Sequence, residues 1–231
     1  MNKEDLHTNK MDIITSTVAT ATSYIPIAGG ALSEIIRMVI PNQREDRIVK
    51  FLTNIDKRLS ELEITVEKLQ SIFNNTKYGG FTFECLRDVV NDKFEEKMVY
   101  YQNLYITGIT SEEQEMLNMS NLMRLVSDME YKEILYLKFY YYANYANNQK
   151  IKTIQQLLNQ GSITPNYTMK MKQNELDNET YKQITLNSLV NKGLLERKIE
   201  YVGKNRREKI KYKITSLGKL LLRKIGEINN E

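Results

Sequence analysis

Several residue types on which enzymes and metal sites depend are nearly missing from this chain of 231 residues. There is one cysteine, Cys85, one histidine, His7, and no tryptophan. A zinc site of cysteine and histidine takes about four such ligands and a disulfide bond takes two cysteines, so the sequence excludes both within one chain. It also lacks the glycine-rich phosphate-binding loop and the dinucleotide-binding fingerprint. We therefore expect no catalytic residues, no metal site and no cofactor, and the single cysteine fits a cytoplasmic location.

Residues that interrupt helices are also few. The chain has three prolines and ten glycines, while 41% of its residues are hydrophobic and 27% are charged. This apolar content is enough to bury a core, and long periodic stretches with few helix breakers favour helix. The predicted fold class is mainly α. Three regions are expected, over residues 1–41, 42–127 and 128–231.

The first region is an apolar stretch without charge between Asp12 and Glu34. A proline and two adjacent glycines break it, which predicts a hairpin of two short helices over 11–24 and 31–40. Each helix falls short of the roughly 20 apolar residues that cross a bilayer, and the mixed charge of the first residues predicts no signal peptide. The hairpin either forms a helical core or self-association surface, or enters a membrane when triggered. The residues assigned to these roles are Ile25, Pro26, Gly29, Gly30, Leu32, Ile35 and Ile36.

The second region begins with a long helix whose apolar residues repeat at alternating spacings of four and three. The repeat consists of Ile48, Leu52, Ile55, Leu59, Leu62, Val66, Leu69 and Phe73. A strict repeat over about four heptads is typical of a coiled-coil seam. The seam is predicted to pair either with a second copy of the chain, as a homo-oligomer, or with another helix of the same chain. The asparagines and glycines of residues 74–80 are expected to end this helix.

Three further amphipathic helices are predicted in the middle of the chain. The first covers residues 83–105 and is ended by Gly108, and the second covers residues 111–126. The third covers residues 129–146, where Ser127 followed by Glu130 is a helix-start pattern. Tyrosines on this third helix are expected to contribute to a core with a hydrated edge.

The last part of the chain changes from helical to strand-like periodicity. A short helix is predicted at 153–158, followed by a polar connection over 161–178 and a helix over 179–192. Gly193 is expected to end that helix in a left-handed conformation. A charged hairpin tip near 204–209 then separates two strands.

Two segments here carry a resemblance to a known family. L-V-N-K-G-L-L-E-R, from residue 189, and Y-K-I-T-S-L-G-K-L-L, from residue 212, resemble the exit of the recognition helix and the segment after the wing in MarR- and PadR-like winged-helix proteins. The resemblance implies a C-terminal winged helix-turn-helix domain in which Thr215 caps the last helix. It implies either DNA binding or protein interaction, because winged helices serve both. The long connection over 161–178 departs from the usual turn of three or four residues.

The N-terminal segment I-P-I-A-G-G-A-L-S-E-I-I, from residue 25, carries a second resemblance. It is similar to the start of a set of uncharacterised bacterial helical proteins, in which an I-P-x-x-G-G-x-x-S-E turn precedes a long charged helix. The resemblance implies architecture, and it suggests a link to phage defence. It motivates an alternative function, in which a membrane-disrupting effector of abortive infection uses the apolar hairpin and keeps the winged helix for protein interaction.

The charge of the chain is unevenly distributed, and this asymmetry motivates the leading functional hypothesis. Residues 180–228 contain 13 Lys and Arg against 4 Asp and Glu, so this stretch carries +9 while the whole chain carries +4. A basic end suggests an anionic partner, unless the lysines reflect genome composition alone. We expect a non-enzymatic DNA-binding or regulatory protein whose helical N-terminal half oligomerises or senses a protein partner. The residues predicted to contact DNA are Lys182, Gln183, Asn187, Lys204, Arg206, Arg207 and Lys209.

Overall fold

The computed structural model describes residues 45–62, 75–145, 147–159, 170–202 and 207–228. It divides into two compact units, with the boundary between Ser127 and Asp128. The described residues are mainly helical, as predicted, with one two-stranded antiparallel sheet. No helix among them is long and apolar enough to cross a bilayer. The predicted apolar hairpin, with Ile25, Pro26, Gly29, Gly30, Leu32, Ile35 and Ile36, lies outside the described residues.

The N-terminal unit is a bundle of helices around an apolar core. Its described helices are α1 (Glu45–Glu61), α2 (Thr76–Asn91), α3 (Met98–Thr110) and α4 (Glu113–Ser127). A short 3-10 turn, Glu95–Lys97, precedes α3. Helix α3 packs against α4, α1 and α2, and α2 also packs against α4. The apolar α3 supplies the middle of the core, because Tyr101, Leu104, Tyr105 and Ile109 are almost completely buried.

Most of the described part of the predicted seam packs inside this unit. Of its five described residues, Ile48, Leu52, Ile55 and Leu59 are buried, whereas Leu62 is 54% exposed. Helix α1 contacts α2 and α3 of the same chain. Phe51 is also fully buried, so the apolar face of α1 is broader than a heptad seam and matches an ordinary helix of a globular core. Residues 63–74, which carry the rest of the repeat, lie outside the described residues.

The single helix predicted over 83–105 is wrong, since two helices cover this part of the chain. Helix α2 ends at Asn91, where Asp92 adopts an extended conformation with φ −68° and ψ 134°. The Asp92 side chain accepts a hydrogen bond from the backbone N–H of Phe94 at 2.8 Å, which closes a local turn. The apolar spacing continues through this break because α2 and α3 both bury their apolar faces in the same core.

The glycines were wrongly predicted to end helices in the N-terminal unit. Gly108 lies within α3, and Gly79 and Gly80 lie within the first turns of α2. The start of α2 is set by Asn75, whose side chain accepts a hydrogen bond from the N–H of Lys77 at 3.0 Å. Asn75, which was expected together with the glycines to end a helix, therefore begins one.

The C-terminal unit contains four described helices and a hairpin. They are α5 (Tyr131–Asn144), α6 (Asn148–Asn159), α7 (Lys170–Asn191), β1 (Leu195–Val202), β2 (Arg207–Ile214) and α8 (Ser216–Lys224). Helix α5 lies at the centre and contacts α6, α7, β2 and α8. It begins with a capping box in which the side chains of Glu130 and Glu133 each accept the other residue's backbone N–H.

The prediction of a polar connection over 161–178 is wrong for its second half, which is helical. Helix α7 already begins at Lys170, nine residues before the predicted start. Residues 170–176 include Lys, Met, Gln, Glu and Leu, which are good helix formers although most of them are polar. A polar segment of this composition can therefore form a helix as well as a loop. The connection between α6 and α7 is ten residues long, 160–169.

Two local predictions about the junction between helix and hairpin are confirmed. Gly193 follows α7 with φ +70°, the left-handed conformation that glycine adopts without strain. Thr215 caps α8, since its hydroxyl accepts a hydrogen bond from the N–H of Gly218 at 3.0 Å. The same hydroxyl donates to the carbonyl oxygen of Gly193 at 2.7 Å. This one side chain thus joins the exit of α7 to the start of α8.

Gly218 is required by tertiary packing, and replacing it with alanine is expected to destabilise the protein. A Cβ atom at this position would lie 2.5 Å from the carbonyl oxygen of Leu194 and 2.8 Å from Cγ1 of Ile214. We expect G218A to lower the free energy of unfolding by about 1–3 kcal/mol through overpacking. The matched control is G80A in α2, where no atom lies within 4 Å of the added Cβ. It should gain about 0.5–1 kcal/mol from helix propensity. Urea denaturation measures both, and a G218A variant as stable as G80A would contradict this packing.

Candidate nucleic-acid interface

The β1–β2 hairpin has an inner face, which packs on the helices of the C-terminal unit at its Leu195–Ile214 end, and an outer face that is solvated. Side chains alternate between faces along a strand, and the register pairs Leu195 with Ile214 and Arg197 with Tyr212. Leu195 and Ile214 are buried. The hydroxyl of Tyr212 donates a hydrogen bond to Oε1 of Gln183 at 3.1 Å, which ties this face to α7. The inner face therefore fixes the hairpin against the helices.

The outer face of the hairpin carries most of its basic side chains. Lys198 lies directly opposite Lys211, and Glu196 lies opposite Lys213. These side chains, together with Glu200, are exposed. Like charges placed opposite one another on neighbouring strands repel and destabilise the pair. The Lys198–Lys211 pair is therefore a position at which a bound anion would stabilise the hairpin.

The glutamates of this face partly neutralise the lysines. Lys211 Nζ lies 2.6 Å from Glu200 Oε2, and Lys198 Nζ lies 3.5 Å from Glu196 Oε2. All four side chains are about half exposed. Ion pairs of this exposure contribute about 0–1 kcal/mol each, so a phosphate group can replace the glutamate as the partner of either lysine.

The three predicted DNA-contacting residues of α7, Lys182, Gln183 and Asn187, differ in their hydrogen bonds and exposure. Lys182 Nζ lies 3.2 Å from Glu179 Oε2. Gln183 donates a hydrogen bond to Glu179 Oε1 at 3.0 Å and accepts one from Tyr212, so its amide is engaged at both ends within the unit. The hydrogen bond from Gln183, followed by that from Lys182, lowers the pKa of the Glu179 carboxyl. Asn187 is exposed, so of these three predicted residues it has the most accessible side chain.

The predicted residues at the hairpin tip are only partly described. Lys204 and Arg206 lie outside the described residues. Arg207 and Lys209 occupy positions in β2, opposite Val202 and Glu200 in the register. The structure therefore brings two of the four predicted tip residues onto the strand that also carries Lys211.

Sequence reasoning missed several surface residues of this unit. Tyr181 and Ile184 project from α7 with 68% and 58% of their surface exposed, at a spacing of three residues that continues to Asn187. Lys198, Lys211 and Lys213 were also missed on the hairpin. The signal that could have found Lys211 and Lys213 is the alternation of lysines with apolar residues in β2, because a period of two predicts one charged face.

The end of α7 is anchored by an ion pair with the central helix. Lys192 Nζ lies 2.9 Å from Glu133 Oε1, and it donates a hydrogen bond to the Ser188 hydroxyl at 2.7 Å. The Glu133 side chain is only 5% exposed. Lys192 therefore holds α7 in place on α5, and its charge is neutralised by Glu133 within the unit.

A buried polar cluster lies in the N-terminal unit. Lys97 Nζ is 2.5 Å from Asp92 Oδ2, and both side chains are almost fully buried. The Tyr101 hydroxyl donates to the same carboxylate oxygen at 2.5 Å. Burial, together with the Asp92 carboxylate, raises the pKa of Tyr101 far above its ordinary value, so the hydroxyl stays a donor. This cluster fixes the turn between α2 and α3, and nothing in the apolar periodicity of the sequence predicts it.

The single cysteine of the chain lies in the core of the N-terminal unit. Cys85 is fully buried, and burial followed by the nearby Asp88 carboxylate raises the pKa of its thiol well above the usual value. A protonated, inaccessible thiol is a poor nucleophile. Within the described part of the chain, no group of three or more His, Cys, Asp or Glu side chains is placed to hold a metal ion.

Comparison of the chain with protein-family models, curated proteins and solved structures gives no match.

Proposed function

We propose that the C-terminal unit is a winged helix-turn-helix module that binds duplex DNA through α7 and the β1–β2 hairpin. The order of elements, with three helices, a hairpin and a last helix, is compatible with a helix-turn-helix followed by a wing. The observation that carries the proposal is the outer face of the hairpin, where Lys198 lies opposite Lys211 beside Lys213. These lysines would hold phosphate groups of the DNA backbone.

The charge of the two units supports an anionic partner for the second one. Residues 128–231 contain 19 Lys and Arg against 11 Asp and Glu, whereas residues 1–127 contain 14 against 18. Nucleic-acid affinity that does not depend on sequence comes mainly from such positive charge. In this proposal the C-terminal unit binds the DNA. The N-terminal unit has a regulatory, partner-binding or oligomerising role.

Helix α7 would contribute contacts that depend on the base sequence. Its exposed residues Tyr181, Ile184 and Asn187 offer apolar surface and an amide. An asparagine amide recognises adenine in the major groove, and an apolar side chain contacts the methyl group of thymine. The described positive charge lies on the hairpin more than on this face of α7, so we expect the hairpin to dominate affinity.

Protein binding is a second candidate function, favoured by one observation on the hairpin. Ile199 and Ile210 lie opposite each other, and they are 50% and 43% exposed. Tyr201 on the same strand face is 64% exposed. Apolar side chains of this kind are enriched at protein interfaces, in particular tyrosine. Measured affinity for duplex DNA separates the two candidates.

The DNA proposal is tested by removing two charges from the outer face. We expect K198Q/K211Q to weaken binding of a fluorescent duplex about tenfold at roughly 50 mM salt, since both phosphate contacts are lost. The slope of log K against log salt should fall by about 0.9 for each contact. Fluorescence anisotropy over a salt series measures both quantities.

Two further variants decide whether the effect belongs to this face. K57Q/K132Q removes the same charge from exposed helical lysines and should leave affinity within about twofold. E196Q/E200Q should tighten binding, because these carboxylates compete with phosphate for the lysines. If the wild type does not bind duplex DNA at low salt, or if both double-lysine variants lose affinity equally, the DNA proposal fails and protein binding becomes the stronger candidate.

A further inference from the structure

A basic pocket lies in the N-terminal unit, beside the turn between α2 and α3. Its volume is about 330 Å³, and it is lined by Arg47, Lys50, Lys93 and Glu95. Arg47 and Lys50 are one turn apart on α1, while Lys93 and Glu95 belong to the turn. Three positive side chains therefore surround one carboxylate, in a half of the chain whose net charge is negative. This local reversal of charge suggests an anionic ligand.

Arg47 is held in place by the backbone of the turn. One terminal nitrogen of its guanidinium donates to the carbonyl oxygen of Asp92, and the other donates to that of Phe94 at 3.2 Å. Its Nε is buried and has no hydrogen-bond partner within the described part of the chain. A buried donor left without a partner costs free energy. The guanidinium of Arg47 is thus a positive charge held in a fixed position beside the pocket.

The turn between α2 and α3 is held in one conformation by the contacts of Asp92. The buried Asp92 carboxylate binds Lys97 through one oxygen and the N–H of Phe94 through the other. Lys93 follows Asp92 directly, and its Nζ lies 5.2 Å from the centre of the Phe94 ring. Lys93 and Glu95 are therefore carried by a backbone that the core holds in one conformation, and the pocket is formed before any ligand arrives.

Glu95 occupies the position at which an anion would bind, so the anion would compete with the Glu95 carboxylate for Lys50. It forms an ion pair with Lys50, and the hydrogen bond from Lys50 holds the pKa of the Glu95 carboxyl below its usual value. Both side chains are more than half exposed, so the pair contributes little stability. An anion with two charges, in contact with Arg47 and Lys93 as well, would displace the single carboxylate from Lys50.

We propose that this pocket binds a small phosphorylated ligand through its phosphate group. The three cations and the Glu95 carboxylate together carry a net charge of +2, which matches the charge of a phosphate dianion. Arginine with lysine is a common set of phosphate partners in proteins. The volume is at the low end of the range for small-molecule sites, roughly 300–1,000 Å³. The group could belong to inorganic phosphate or to a phosphate monoester such as a nucleotide. The inference does not depend on DNA binding by the C-terminal unit.

The test uses the full chain, with inorganic phosphate and adenosine 5′-monophosphate as probes. At constant ionic strength set with chloride, about 10 mM phosphate should raise the Tm by several degrees, because a ligand that binds only the folded state stabilises it. Calorimetric titration should give a Kd that K50Q/K93Q weakens at least tenfold and E95Q tightens several-fold. Circular dichroism checks that these exposed substitutions leave the fold intact. A much lower Kd for the monophosphate identifies a phosphorylated metabolite, and equal values identify free phosphate; either result supports the site.

Control variants separate this pocket from the basic hairpin. K57Q removes an exposed lysine of α1, and K198Q/K211Q removes the hairpin charges, so both should keep the wild-type Kd for phosphate. K50Q/K93Q should in turn keep the wild-type affinity for duplex DNA. The proposal is overturned if phosphate stabilises the protein no more than chloride does, or if K50Q/K93Q binds phosphate as tightly as K57Q. It is also overturned if the hairpin variant alone abolishes the effect.

Discussion

Replacing Lys97 with methionine is expected to lower the free energy of unfolding by about 3–5 kcal/mol. The ammonium group of Lys97 lies 2.5 Å from the Asp92 carboxylate, and only 1% and 2% of the two side chains are exposed. Methionine fills a similar volume but leaves the carboxylate buried without its positive partner. The Tyr101 hydroxyl and the N–H of Phe94 would still bind the carboxylate, although they cannot neutralise its charge. Urea denaturation followed by circular dichroism measures the loss.

Two variants distinguish a buried ion pair from simple packing at this position. D92N/K97M removes both charges and should recover most of the lost stability, because the stranded carboxylate is then gone. K77M breaks an exposed pair, in which Lys77 Nζ lies 2.5 Å from Glu113 Oε1, and should cost less than about 1 kcal/mol. The explanation is wrong if K97M costs no more than K77M, or if the double variant is as unstable as K97M.

The substitution L59D should also be severe, with an expected loss of about 3–5 kcal/mol in the free energy of unfolding. Leu59 is 5% exposed on the face of α1 that packs against α2 and α3. An aspartate there would place an unpaired charge in the core of the N-terminal unit. The matched change is L62D at the next position of the repeat, where leucine is 54% exposed, and it should alter stability by less than about 0.5 kcal/mol.

The same pair of variants tests whether the seam packs within one chain or between two copies of the chain. Because Leu59 is buried within the chain, L59D should appear in light scattering and circular dichroism as an unfolded or loosened chain. A folded L59D monomer, derived from a wild type that is a larger assembly, would instead place Leu59 between copies of the chain. Helix α1 would then be part of a coiled coil between copies and not a core helix of a single chain.

Features that act over a few residues were predictable from residue types and their spacing along the chain. The mainly helical composition follows from the scarcity of proline and glycine and from the apolar periodicity. Gly193 ends a helix because its backbone must turn left-handed, and Thr215 begins one because its hydroxyl satisfies the N–H of Gly218. Each of these needs only its near neighbours, so the residue type and its place along the chain were sufficient.

Features in which distant segments of the chain meet depend on the packing of the whole fold. Asp92 breaks the predicted helix because Lys97 and Tyr101 make a buried carboxylate stable, and the apolar periodicity on either side contains no sign of that partnership. Phe51 widens the face of α1 because α2 and α3 cover it. Arg47 shares a pocket with Lys93, although more than forty positions separate them in the chain. Periodicity along one segment specifies which face is apolar, but the partner of that face, and the charges brought together around it, depend on how the chain closes on itself.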